Sequence, residues 1–414
     1  MKSQTLLALV LAFPLSASAV DMTLSGFGTI GYALSDQPYN YLRFVDERGT
    51  FKRDSLLGAQ LDIKFDQHWG AAIQTKLAPS DSSDSQWEGV LSWAFVSWRP
   101  VDDVLLRLGK LRVPLMLNTE NADVGATYDL AHLPVEVYSI APTTDFVGLS
   151  LSKSWLASDL DWALDAYYGR AKNHTRFYGR EMRDGDPNPG SWFEAIDVKS
   201  GGLVLTARGL NNVFRVGMHY ATISKPGGMA VDIPYVANAF GPGVGFYDIR
   251  RASREDEMRM PVQNIGASVL LPGEIRLTGE YARTKYSGAS RGLSRWGAYL
   301  AVSRQFGIWN PYVYYAKTKS TDGALALYNA VNQTVTPFPA LNNVQKLTAD
   351  IVLPYDQWTA AVGTSVRVTP RSLIKAEWAQ THTGEASSFV DAPSGGDSAN
   401  KRINVFSLSY SFSF

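Results

Sequence analysis

Apolar and polar residues alternate along much of this chain with a period of two. Leu57, Ala59, Leu61, Ile63 and Phe65 interleave with Gly58, Gln60, Asp62, Lys64 and Asp66; Trp69, Ala71, Ile73 and Leu77 stand against Gln74 and Lys76. Successive strand side chains point to opposite faces, so each window predicts a β-strand with one apolar and one wet face. Asp66-Gln67-His68 between them leaves room only for a tight turn. A soluble sandwich would alternate in the same way, and connection lengths separate the two architectures. Short links fall at Asp66 to His68, Pro100 to Asp103, Leu156 to Asp159, Gly209 to Asn212, Leu271 to Glu274, Phe306 to Asn310 and Val368 to Arg371. Between them lie long polar links at Leu34 to Ser55, Arg112 to Asp145, Lys172 to Asp197, Ser224 to Met258, Ser320 to Tyr355 and Thr383 to Asn400, and shorter ones near Pro79 to Gln86 and Tyr286 to Leu293. Seven turns alternating with eight loops predict sixteen strands of about ten residues. This is the pattern of an all-β fold, a transmembrane antiparallel β-barrel with long extracellular loops and short periplasmic turns. Compact soluble domains mostly use connections of about 4 to 6 residues, which leaves a secreted β-sandwich as the weaker alternative.

The N-terminus agrees with export. Lys2, the apolar run Leu6 to Leu15 and Ala17-Ser18-Ala19 have the order of a secretory signal peptide, expected over residues 1–19 with cleavage after Ala19. A membrane anchor is the other reading, but a spanning helix needs about 20 apolar residues. Removing 19 of 414 residues, Lys2 among them, leaves 395 with a formal charge of −1, expected to form one barrel over 20–414. Mean hydropathy is −0.12 and no later apolar run is long enough for a helical span. Lys plus Arg equals Asp plus Glu at 39 each, so there is no global positive field to gather nucleic acid. The absence of cysteine excludes thiolate catalysis, cysteine-ligated metals and disulfides.

The final strand adds a specific feature. Phe406, Leu408, Tyr410, Phe412 and Phe414 alternate with four serines, and the chain ends on an aromatic in register. With this terminal Phe414, the leader, the missing cysteine and the loop pattern, the chain resembles the bacterial outer-membrane porins over essentially its whole mature length. The resemblance implies a homotrimer in the outer membrane of a Gram-negative bacterium, in contact with lipid and lipopolysaccharide, passing small hydrophilic solutes and ions. It implies no enzyme activity and no cofactor. Trp69, Trp98, Trp155, Tyr168, Tyr281, Trp296, Tyr312 and Trp358 fit the aromatic girdles of such barrels, with core packing as the alternative use.

If one face meets lipid, the other lines the lumen. By phase the inward set comprises Asp62, Lys64, Gln74, Lys76, Arg107, Asp165, Arg208, Glu274, Arg276, Glu280, Arg295, Arg367, Lys375 and Glu377, eight cations against five acids. Such a wall favours anions weakly; a balanced, hydrated lumen is the alternative. In porins the loop after the fifth strand folds into the barrel and narrows it. The resemblance therefore makes residues 112–145 the constriction, with acids Asp123, Asp129, Glu136 and Asp145 facing bases Lys64, Lys76, Arg107 and Lys110. The general-porin run Pro-Glu-Phe-Gly-Gly is replaced by Leu133-Pro134-Val135-Glu136, whereas Gly109-Lys110-Leu111-Arg112-Val113-Pro114 looks more like substrate-selective porins of the phosphate type. A strand end stopped by a proline would read the same. A channel selective for one anion or organic acid is the closest competing function.

Other motifs lack their structural context. Gly26-Phe27-Gly28-Thr29-Ile30-Gly31 fits a dinucleotide pattern that needs a following helix, yet lies in a period-two segment. Gly288-Ala289-Ser290-Arg291-Gly292 fits a nucleophile elbow but falls in a loop between hairpin strands; a barrel hydrolase would need Ser290 beside His219 or His382. The five histidines show no metal-ligand spacing. Glu255, Asp256 and Glu257 among Arg250, Arg251, Arg254 and Arg259 read as loop surface.

Overall fold

A computed structural model of the chain describes residues 20–181, 189–286, 293–321 and 323–414. The expected signal peptide and the Gly288 to Gly292 motif lie outside the described residues. Sixteen strands run up and down: β1 (Asp21–Ser35), β2 (Leu56–Lys64), β3 (Trp69–Pro79), β4 (Trp87–Val101), β5 (Val104–Arg112), β6 (Asp145–Ala157), β7 (Leu160–Gly179), β8 (Gly190–Arg208), β9 (Val213–Ala230), β10 (Arg254–Leu271), β11 (Ile275–Thr284), β12 (Arg295–Arg304), β13 (Trp309–Ser320), β14 (Tyr355–Thr369), β15 (Ser372–Ser387) and β16 (Arg402–Ser413). Each pairs antiparallel with its chain neighbours, and β1 pairs with β16, closing the barrel. All seven short links are turns at one rim, and the long connections gather at the other.

Alternation sorts the wall as the sequence predicts. On β9, Phe214, Val216, Met218 and Tyr220 are exposed, while Arg215, His219, Ala221 and Ile223 are buried on the inner face. On β16, Phe406, Leu408 and Tyr410 point out, and Ser407, Ser409 and Ser411 point in. Two stacked indole pairs, Trp69 with Trp98 and Trp155 with Trp162, belt the short-turn rim. Tyr312 does not join a girdle. Its neighbours Val313 and Tyr315 hold the outward phase of β13, so Tyr312 is turned inward and only 2% exposed. Aromatics in both phases made this window ambiguous.

Two of the expected loops begin and end as strand. The β7–β8 ladder continues unbroken from Asp161 opposite Arg208 to Gly179 opposite Gly190, through Lys172, His174 and Arg176. The ladder from β9 to β10 likewise reaches Ala230 opposite Arg254. Above the apolar belt the outward face of a strand need not be apolar, so the hydrogen bonds persist where the alternation weakens, while Ile196, Met229 and Met258 still pack inward. The link after β13 carries two helices, α2 (Ala324–Asn332) and α3 (Pro339–Asp350), and the link after β9 a two-stranded ribbon, Tyr235–Val236 with Phe246–Tyr247.

The glycine-rich dinucleotide match lies inside β1, paired on both edges and followed by no helix. Its glycines seat rings across the closing seam: a Cβ on Gly26 would fall 2.3 Å from the Phe414 ring, and one on Gly28 2.8 Å from that of Phe412. Gly26 and Phe414 also exchange two backbone hydrogen bonds of 3.0 and 2.9 Å. Each such bond contributes about 0.5–1.5 kcal/mol. Deleting Phe414 is therefore expected to lower the thermal unfolding midpoint of the detergent-solubilised barrel, measured by circular dichroism.

Candidate functional site

The connection from β5 to β6 does not stay at the rim. The β4–β5 ladder ends at Ala94 opposite Lys110, beside Gly109, whose φ of +141° is a conformation that favours glycine. Val113 then donates to the Thr144 carbonyl at 2.9 Å, forming a neck, and residues 113–144 fold into the barrel. Non-helical backbone is tolerated at this depth because the polar inner wall satisfies it.

That wall supplies partners strand by strand. On β9, Arg215 donates to the Met116 carbonyl at 2.6 Å, and on β10 Asn264 donates to that of Leu115 at 2.6 Å. The Glu280 carboxylate on β11 accepts from the Leu117 amide at 2.7 Å, from Tyr138 at 2.6 Å and from Tyr299 at 2.9 Å. Gly125 lies so close to Thr29 and Ser411 that a Cβ would meet their hydroxyls at 2.8 and 2.5 Å. His132 bridges Asp54 at 2.8 Å and Glu377 at 3.2 Å, and Tyr312 donates to Glu377 at 2.8 Å. The short helix α1 (Val135–Tyr138) presses on β12, where a Cβ on Gly297 would sit 1.9 Å from the Glu136 carbonyl oxygen. The loop is thus lashed to the inner wall at points around most of its circumference.

Apolar contacts complete the anchoring. Leu111, Val113, Leu115, Met116, Val137 and Ile140 pack against inward-facing Tyr167, Val198, Ile223, Met258, Met260 and Val262. The inner face from β7 to β10 is accordingly less polar than a water-filled lumen would require, because the loop covers it.

The charges expected at a constriction are distributed unevenly. Asp123 forms one cluster with Lys76 at 2.8 Å and with Arg112, and Lys110 pairs with Asp145 at 2.9 Å. Asp129 accepts from Ser365 at 3.0 Å and lies 4.0 Å from Arg367. Lys375 donates to the Leu130 carbonyl at 2.9 Å and sits 3.9 Å over the Tyr128 ring. Glu136 makes no ion pair within 4.0 Å among the described residues. It is buried, accepting from Gln357 at 2.8 Å and Thr359 at 2.6 Å. Lys64 ends β2 at the short-turn rim opposite Gly70, Arg107 packs 5.8 Å from the Phe95 ring, and Arg276 donates to the Asn211 carbonyl at 3.1 Å. None of these three meets the loop in the contacts among described residues. Arg295 donates to the Ser139 carbonyl and, at 3.2 Å, to its hydroxyl.

Sequence reasoning missed Arg215, Asn264, Gln357 and Thr359 as loop anchors. A signal for Arg215 was present: it is a charge in mid-strand between outward Phe214 and Val216, a position at which it must face inward. Of the hydrolase grouping, Ser290 lies outside the described residues; His219 lies between Tyr167 and Asn264, and His382 stacks on Trp358.

A closed sixteen-stranded barrel with one loop tied down inside it matches solved structures along nearly its full length. OmpT of Vibrio cholerae, an outer membrane protein in trimer form, aligns with a TM-score of 0.54 at 9% identity, over 96% of this chain and 100% of that one. The outer membrane channel DcaP of Acinetobacter baumannii gives 0.54 at 11%, over 97% and 99%. An anion-selective porin from Comamonas acidovorans gives 0.52 at 12%, over 95% and 100%. The fold is that of the porins. No family model and no curated protein sequence matches the chain.

At the long-loop rim of this porin fold, ion pairs tie the loops to one another. Asp84 holds Arg43 and Arg176, each at 2.8 Å, and Arg176 also holds Asp391 at 2.6 Å. Arg180 pairs with Asp350 of α3 at 3.2 Å. Burial outweighs the attraction of Arg180 and pushes the Asp350 pKa up to about 7; burial likewise raises that of Asp391.

Two outcomes are expected. Glu280→Leu leaves the Leu117 amide and two tyrosine hydroxyls without their acceptor, a loss of about 1–3 kcal/mol per buried group; hydrogen exchange should show residues 113–120 losing protection. For Asp350 the folded pKa lies above the unfolded value near 3.8, so docking of α3 is most stable below pH 4 and weakens as pH rises through about 7. Exchange in α3, corrected for intrinsic rates, should be slower at pH 5.5 than at pH 8, and Asp350→Asn should remove that difference.

Proposed function

We propose that the chain is a passive diffusion channel for small hydrophilic solutes and ions in the outer membrane of a Gram-negative bacterium. Residues 1–19 serve as the cleaved signal, and residues 20–414 form one barrel with the short turns in the periplasm and the long loops outside. The outward apolar belt faces outer-membrane lipid, and the rim loops meet lipopolysaccharide. The working unit is a homotrimer. Passage through it needs no covalent step and no cofactor.

The observation that carries this reading is the inner loop, residues 113–144, bonded to the wall of a closed barrel. Sixteen strands leave an aqueous lumen too wide to discriminate small solutes, and a tethered loop narrows it without closing the wall. The cluster of Lys76, Arg112 and Asp123, with Lys110 and Asp145 beside it, sets a field at that depth. A weak anion preference has specific support. Wall carboxylates Glu280 and Glu377 are engaged by tyrosine hydroxyls, whereas Arg107, Arg276, Arg295 and Lys375 have no carboxylate within 4.0 Å among the described residues.

The test is planar-bilayer conductance of the purified protein across a KCl gradient. Stepwise openings in groups of three and a zero-current potential of the sign for anion preference are expected. Folded protein that gives no steps would sink the channel reading, and a potential of opposite sign would sink the anion preference alone.

A further inference from the structure

Above the inner loop, on the long-loop side, lies a cavity of about 370 Å3, within the size range of small-molecule sites. Its wall is largely apolar, with Ile140, Ile223, Met258, Met260, Tyr355 and Phe389 among the lining side chains. Its charged lining consists of four cations, Arg43, Arg176, Lys225 and Arg295, against one carboxylate, Glu194. Three of the cations are neutralised nearby: Arg43 by Asp84, Arg176 by Asp84 and Asp391, and Lys225 by Glu194.

Arg295 differs from the other three. It is 6% exposed, its guanidinium lies 4.0 Å over the Tyr355 ring and 5.9 Å from that of Phe389, and one terminal nitrogen donates to Ser139. The other, Nη1, has no hydrogen-bond partner, and no carboxylate lies within 4.0 Å of the side chain among the described residues. The nearby Glu136 already accepts from Gln357 and Thr359. A buried cation without a counter-ion is costly, and ring faces and a carbonyl offset only part of that cost.

We infer that this cavity binds a monocarboxylate with a compact aromatic body, its carboxylate on Arg295 and its ring among the methionine, isoleucine and aromatic side chains. The inference rests on the channel reading and names the solute class the channel would hold before passage. A guanidinium takes a carboxylate through paired N–H donors, and Nη1 is the donor left free. Methionine sulfur and aromatic rings suit a flat apolar body better than a hydrated inorganic anion.

The test uses the full-length protein in detergent and in bilayers, with phenylacetate as probe and acetate and 2-phenylethanol as controls. Titration calorimetry is expected to show saturable phenylacetate binding, at least tenfold weaker for acetate and for the neutral alcohol, and phenylacetate added on the loop side should interrupt the KCl current. Arg295→Gln is expected to weaken phenylacetate binding at least tenfold. Equal binding of acetate would overturn the apolar part of the site, equal binding of 2-phenylethanol the carboxylate part, and no phenylacetate binding the site altogether. The ligand series needs no variant, so the inference stays testable if Arg295→Gln does not fold. Conductance steps without phenylacetate binding refute the site and spare the channel; absent steps refute the channel reading itself.

Discussion

Nine residue pairs join β1 to β16, from Phe27 opposite Ser413 to Ser35 opposite Val405, and turn a ribbon with two open edges into a wall with none. In hydrocarbon an unpaired amide or carbonyl costs several kcal/mol, so a sheet can cross only if it closes. Closure also fixes which face is inside, and with it the fate of every second side chain. The glycines of β1 belong to this seam: they leave room for the rings of Phe412 and Phe414 to lie across it.

Closure creates a second problem, an interior lined with polar groups and too wide to fill with side chains alone. The segment between β5 and β6 answers it by supplying both kinds of contact. On one side it buries leucine, valine and methionine against β7 to β10. On the other it meets single polar groups on the wall, among them Glu280, Glu377, Gln357 and Thr359. A carboxylate at such a place is more anchor than ion filter. Glu280 and Glu136 show why charge by itself is a poor guide to a pore lining: each is held by hydrogen-bond donors that fix the loop in place.

The loop also divides the interior into regions of different chemistry. The group around Asp123 is dense in ion pairs, whereas the cavity over Ser139 is largely apolar, with four cations and one carboxylate among its lining side chains. A hydrated ion and an amphipathic acid would be held differently in these two regions.

The sequence by itself determined the barrel. Alternation, the turns and the last strand are local properties, written in residues two to ten positions apart, and they gave the strand number, the inward phase and the short-turn rim. Local pattern failed where its physical basis ended: above the apolar belt, where β7 to β10 continue without an apolar outer face, and at Tyr312, where aromatics occupy both phases. Only the tertiary structure decided which charges meet. The Leu117 amide and Glu280 are 163 residues apart, and Glu136 and Gln357 are 221 apart. Their pairing depends on the path of a loop through the lumen, which no period encodes. The same path buries Arg295 beside Ser139 and leaves Lys64 at the rim, because partners for a buried charge are set by three-dimensional packing and not by spacing along the chain.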